Sequence, residues 1–452
     1  MKMFFRGMQK FLASPWFALV VYGGGYYVWF ARVDLTLFLI GYGLLVVLVL
    51  RVSQDLTPFF PLIMSLLFLN VIGAGDTSSV PTMVSSLPLL FLSIMVGAIV
   101  LCLGWFAWRH RLPKTYFGSW WERHIGMFGL GLLAIALAYA LAKVRTEGHA
   151  AIDFPYVDAL LIVLLWLIYR MFRRTQGEHV TRAFVQSAMH LGTLMAAQLL
   201  TDYALRFELV GASTFTPNVG WGISNQVAIM LLFLLPFSAY HAIRYPKTRG
   251  LALLYVVIQS LALVLTLSRG GIGAWALMMI GVFVLWWRAE RHHLTFWFAG
   301  MLFAAALAGM MVVAPNVLQY VWEHLLVEGI SDSGRLTLYA SAWQHFLQSP
   351  LTGIGTVLSP TVFDPTPWFH STLLDTLASL GLVGVAAFGI HFYEKYHFFV
   401  TQRDDFKRFA LLGLLGSGLY GMIDISYYHF SYFLLLVFLL AVAEQREWLQ
   451  RG

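Results

Sequence analysis

Apolar residues along this chain come in long blocks, not in alternation or in one-sided stripes. Blocks bounded by charged or Gly/Pro-rich stretches fall at about 15–31, 35–50, 57–73, 84–108, 125–142 and 156–172. Eight more fall at about 183–205, 222–240, 250–267, 270–288, 294–314, 370–391, 409–424 and 428–443. A helix needs about 20 apolar residues to cross the hydrocarbon of a bilayer. The pattern therefore predicts an all-α fold, a polytopic membrane bundle of about 12–14 transmembrane helices forming one domain over residues 1–452. The longest non-apolar segment, residues 315–369, is expected as a single large loop. Within it Tyr320–Val327 and Leu336–Gln348 keep helical apolar spacing, which predicts short helices lying on the membrane surface.

Charge placement orients the bundle. With the N-terminus inside, only Arg32, Lys143, Arg145, Arg206, Arg269 and Arg335 of the 29 Lys and Arg fall on the outer side. Cationic residues concentrate in cytoplasmic loops, so both termini are expected in the cytoplasm and the 315–369 loop outside it. One miscounted crossing would reverse the bias downstream.

Composition agrees with a membrane protein: 59% of residues are hydrophobic and 11% charged, against roughly a quarter charged in soluble domains. The net charge of +7 does not point to nucleic acid, because the cations are scattered over short loops and form no contiguous basic face. Lys2, Arg6 and Lys10 before the run at Pro15 imitate a secretion signal. That run reaches Arg32 without a small-residue cleavage site and reads as a retained helix. Cys102 is the only cysteine, which excludes an internal disulfide.

Three residues stand where chemistry can occur at the outer side. Arg269, in LTLSRGGIGAW, sits between two apolar runs. Gly270 and Gly271 are expected to supply the backbone angles of a tight corner, exposing N–H groups at a helix start beside a guanidinium. That combination suits an anion; an arginine reaching for lipid headgroups explains the residue equally well. Arg335, in SDSGRLTLYASAW, is expected to begin a loop helix capped by Ser331, Asp332 or Ser333, as a headgroup contact or a functional cation. His370, in WFHSTLLDTLASLGLVG, stands where the loop re-enters the membrane. A histidine imidazole there can accept a proton from a hydroxyl or serve only as an interfacial anchor. Glu323, His324, Glu328 and Asp332 match no strong metal-ligand spacing, so no metal is expected. Asp34 and Asp76 are isolated outer acids, and His292 and His293 fall on the inner side. The ionisable groups within the apolar runs are few, His190, Asp375 and Asp424 among them.

Three segments together resemble the O-antigen ligase and polymerase superfamily: TFTPNVGWGISNQVAIMLLFLLP, LVLTLSRGGIGAW, and SGRLTLYASAWQHFLQSPLTGIGTVL leading to FHSTLLDTLASLGLVG. Their order, spacing and sidedness agree over about residues 212–390. The resemblance implies a site enclosed by helices and the external loop. In it Arg269 and Arg335 hold a carrier diphosphate and His370 acts as base, with Ser268, Gly270, Gly271, Asn225 and Tyr339 as supporting positions. Ser371 follows His370 and Ser379 precedes the Gly-x-x-Gly, where family members often carry Asn and Glu.

The implied activity is inverting, metal-independent glycosyl transfer, without a cofactor, from an undecaprenyl-diphosphate-linked glycan to an acceptor on a glycan or lipid such as a lipopolysaccharide core. The implied location is the outer face of the cytoplasmic membrane. A polysaccharide polymerase of the same superfamily differs only in acceptor. A lipid-linked oligosaccharide transporter also fits the helix number, but it calls for charges along a central path within the helices.

Overall fold

The computed structural model describes residues 2–12, 14–33, 35–53, 55–65, 101, 104–106, 108, 120–142, 155–174, 177–206, 218–219, 222–289, 294–313, 315–323, 334–355, 369–401, 404–424 and 430–451. Most of the apolar run at 84–108 lies outside the described residues, as do Asp34, Asp76, Cys102, His292, His293, His324, Glu328, Ser331, Asp332 and Ser333. The fold is an all-α membrane helix bundle, as the apolar blocks predict. Among the described residues four helices are long and apolar enough to cross a bilayer: Ser224–Arg244, Pro246–Leu265, Arg269–Ala289 and Thr372–Thr401. Shorter apolar helices include Ile40–Val52, Gly129–Leu141 and Trp297–Ala306.

The chain divides into two compact units, Met1–Pro113 with Thr175–Glu328, and Lys114–Arg174 with Gly329–Gly452. In the first, the Ser224–Arg244 helix is the core, buried continuously from Val227 to Ala242. A helix apolar on every face is stable only when neighbours enclose it, and Glu178–Leu205, Arg249–Leu265 and Arg269–Ala289 do so. Gln259 ties three of these helices: its Nε2 donates to Met189 O at 3.2 Å, Thr193 Oγ1 at 3.0 Å and Ser238 Oγ at 3.0 Å. Just before the central helix, Asn218–Val219 pairs antiparallel with Gly222–Ile223 in a two-stranded ladder.

In the second unit Gly129–Leu141 packs on Thr372–Thr401 and Pro155–Phe172, which in turn meets Phe430–Arg451. Arg173, fully buried, closes one end: it pairs with Glu444 at 2.6 Å and donates to the carbonyls of Glu122 and Arg123 at 2.8 and 2.7 Å. A buried guanidinium is tolerable only when it is paired, and here both terminal nitrogens have acceptors.

Candidate functional site

The second unit gathers Arg335, Tyr339, His370, Tyr420 and Asp424 at the ends of three helices. Arg335 is the first residue of the Arg335–Gln348 helix, as the apolar spacing predicts. Gly334 precedes it in the left-handed conformation, φ 76°, with no side-chain cap. The helix docks through one face: Ala342 is buried with Phe369 and Ala378, and Leu374 packs against them. That contact holds the loop helix against the start of the Thr372–Thr401 helix.

Ser371 caps that second helix, its Oγ accepting from Leu374 N at 3.5 Å. The serine directly after His370 thus takes a capping role. His370 lies one residue earlier with φ 46°, a left-handed backbone that residues other than glycine rarely adopt. Such strain persists where its surroundings over-determine it, and here they do. The Tyr339 hydroxyl donates to His370 O at 3.3 Å, and Thr372 N and Oγ1 donate to Asp424 O at 3.2 and 3.3 Å.

Asp424 is the hub. Its side chain is 7% exposed. Oδ1 accepts from His370 Nδ1 at 3.3 Å, Oδ2 accepts from the Tyr420 hydroxyl at 3.2 Å, and Arg335 Nη2 lies 4.0 Å from Oδ2. His370 and Arg335 keep 36% and 31% of their side chains exposed. The buried acid thus contacts two partly exposed groups, an imidazole and a guanidinium. Partial burial pushes the Tyr339 phenol up, Arg335 opposes this and Asp424 adds to it, so Tyr339 stays a hydrogen-bond donor near neutral pH.

A backbone interlock fixes this geometry. The Thr372–Thr401 helix breaks at Gly381, φ 62° and ψ −157°. Its open carbonyls at Ala378 and Ser379 accept from Ile354 N and Gly355 N at 2.8 and 3.1 Å. Beyond the break, Leu382 N and Val383 N donate to Pro350 O and Leu351 O at 2.8 and 3.1 Å. The Pro350–Gly355 turn thus supplies the partners that the interrupted helix lacks. Only glycines fit: a Cβ at Gly381 would sit 2.5 Å from Leu351 C and O, and one at Gly353 would sit 2.2 Å from Ser379 C and O.

Arg269 belongs to the first unit, at the start of the Arg269–Ala289 helix, which agrees with the expected corner. The corner is built differently from that expectation. The left-handed residue is Leu267, φ 58°, while Gly270 and Gly271 lie inside the first helical turn. The chain turns before Ser268, whose N–H is satisfied by Thr266 Oγ1 at 3.3 Å and whose carbonyl accepts from Ile272 N at 2.8 Å. Gly271 serves close packing, since a Cβ there would lie 2.9 Å from Ala228 Cβ. Asn225 is half-buried as the second residue of the Ser224–Arg244 helix.

The sequence pattern marked Arg335, Tyr339 and His370 but offered Asp424 only as one acid among several at the end of an apolar run. Its role comes from a partner 54 positions away. No group of three or more metal-ligating side chains occurs among the described residues. No curated protein matches the chain. A family model described as O-antigen ligase matches residues 254–389, a stretch that contains Arg269, Arg335 and His370 and stops short of Asp424. Residues 254–389, which carry the second and third of the signature segments, thus match the O-antigen ligase family, and the described helices around them form an all-α membrane bundle.

Proposed function

We propose that the chain is an inverting glycosyltransferase that needs no metal and moves a glycan from undecaprenyl diphosphate to an acceptor hydroxyl at the outer face of the cytoplasmic membrane. The observation that carries this reading is the imidazole of His370 held through Nδ1 by the buried Asp424, beside Arg335. An acid on Nδ1 leaves Nε2 to meet the acceptor and stabilises the imidazolium that forms. His370 takes the hydroxyl proton as the acceptor oxygen bonds to the anomeric carbon, and the bond from that carbon to the carrier oxygen breaks. The electron pair leaves on the diphosphate. Arg335 and, by the family resemblance, Arg269 offer fixed positive charge for it. Diphosphate is already a good leaving group, so preorganised charge is the main requirement.

In this reading both termini are cytoplasmic and residues 315–369 form an external loop within one membrane domain, following the division of positive charge. The test is transfer by the purified chain in liposomes from a chemically defined lipid-diphosphate glycan, with a lipid-core acceptor and a second carrier-linked glycan offered in parallel. Transfer to the lipid core supports a ligase, and chain growth on the second carrier supports a polymerase. Absence of transfer to both refutes the reading. Leu347→Cys should react with an impermeant thiol reagent in intact cells and Thr401→Cys should not.

A further inference from the structure

Between the Thr372–Thr401 and Asp405–Gly421 helices lies an apolar groove of about 490 Å³. Val385, Phe388, Gly389, Phe392 and Tyr396 repeat on one face of the first helix, and Leu415, Gly418, Leu419 and Met422 on one face of the second. The polar side chains in its wall are turned away from the hollow: Thr376 Oγ1 donates to Thr372 O at 2.6 Å, Thr372 Oγ1 to Asp424 O at 3.3 Å, and the Tyr396 hydroxyl to Leu414 O at 3.0 Å. What remains is a hydrocarbon surface, with Gly389 facing open space. One end is defined by Thr372, two residues from His370, and by Met422, two residues from Asp424. The second wall extends about 10 Å from Met422 to Leu415 and the first about 16 Å from Val385 to Tyr396, close to the roughly 15 Å of one leaflet.

We infer that this groove takes the diphosphate-proximal part of the donor's polyprenyl tail. The inference rests on the lipid-diphosphate reading above and adds where the carrier lies. Its basis is continuity: the groove begins beside the cluster that includes Arg335. In a prenyl diphosphate the hydrocarbon is bonded directly to the phosphates such a cation would hold. In a glycolipid acceptor, sugars separate the reacting hydroxyl from any acyl chain, so its apolar part cannot begin this close to His370. The length accommodates the first prenyl units and leaves the rest of the tail to the bilayer.

The test compares two donors bearing the same glycan diphosphate, one on a polyprenyl tail and one on a methyl group, using the full chain in nanodiscs. The wild type should prefer the prenyl donor in KM. Gly389→Phe fills the open space and should raise KM for the prenyl donor about tenfold or more, the scale of losing a few buried methylenes. The methyl donor and the acceptor should keep their constants, and Gly389→Ala should behave as wild type. An unchanged prenyl-donor KM, an equal loss with both donors, or a rise in acceptor KM instead would each overturn the inference. A photoreactive prenyl diphosphate provides a readout independent of turnover. It should label residues 385–396 or 415–422 in the wild type and not in Gly389→Phe, with excess prenyl diphosphate competing and excess phospholipid not. Labelling elsewhere refutes the groove, whereas labelling here with no transfer from either donor refutes only the glycosyltransferase reading.

Discussion

Asp424→Asn is the most informative substitution, because it keeps the side-chain shape and removes the charge that organises the cluster. At 3.3 Å a carboxylate and an imidazolium attract by about 5 kcal/mol at an effective dielectric of about 20, and by about 1 kcal/mol in water. His370 is 36% exposed and Asp424 is 7% exposed, so the site lies between these limits. A loss of about 2–3 kcal/mol in transition-state stabilisation is expected, or about 30- to 150-fold in kcat. The assay is transfer from a saturating defined donor in liposomes, with donor KM measured in parallel. Because Asp424 also faces Arg335 at 4.0 Å, the effect must be traced to the histidine by a double-mutant cycle. In a His370→Ala background, Asp424→Asn should cost less than about threefold. The same fold loss in both backgrounds would refute orientation of the base and make Asp424 a structural residue or a partner of Arg335 alone.

Other consequences are separable. Arg335→Lys and Arg269→Lys should each lower turnover, since a point charge does not reproduce bidentate contact with phosphate; wild-type rates in both would remove the arginines from the mechanism. Gly381→Val forces a Cβ to within 2.5 Å of Leu351 backbone atoms at φ 62°, a cost of several kcal/mol on the scale of about 1–3 kcal/mol each for strain and overpacking. It should expose residues 349–355 to limited proteolysis and abolish transfer, and an intact, active variant would refute the interlock. In the first unit His179 Nε2 donates to Asp55 Oδ2 at 3.1 Å. This bond raises His179 against the opposing effect of burial. Burial works to raise Asp55, but the hydrogen bonds from His179 and Thr57 outweigh it and hold the carboxyl low. A raised histidine stabilises below its unfolded pKa and a lowered acid above its own, so the pair contributes fully between about pH 4 and pH 6.5. With both side chains partly exposed, Asp55→Asn should lower stability by less than about 1 kcal/mol. The difference should vanish as pH rises past the raised histidine, and a constant difference to pH 9 would contradict the pairing.

Much of this architecture is legible in the order of residues because a bilayer constrains sequence so strongly. The start of the loop helix at Arg335 and its end at Gln348 follow from apolar spacing alone, as do the limits of the Arg269–Ala289 helix. The remainder depends on contacts that local patterns do not encode. Gly270 and Gly271 invite assignment to the corner, yet the turn falls on Leu267, because Gly271 is needed for packing against Ala228. Gly353 and Gly381 look like ordinary glycines until the Pro350–Gly355 turn is seen filling the break in a helix. Asp424 resembles an acid left at the end of an apolar run, and only the approach of three helix ends makes it the partner of His370, Tyr420 and Arg335.

The most direct test of the central claim is His370→Ala in a reconstituted assay with purified lipid-diphosphate donor, measuring transfer rate and donor affinity on the same preparation. Loss of the base should slow transfer by about a hundred- to ten-thousand-fold while donor affinity stays at the wild-type value, because the arginines are untouched. Transfer at near wild-type rate with normal donor affinity would contradict the account, and His370 would then be an interfacial anchor.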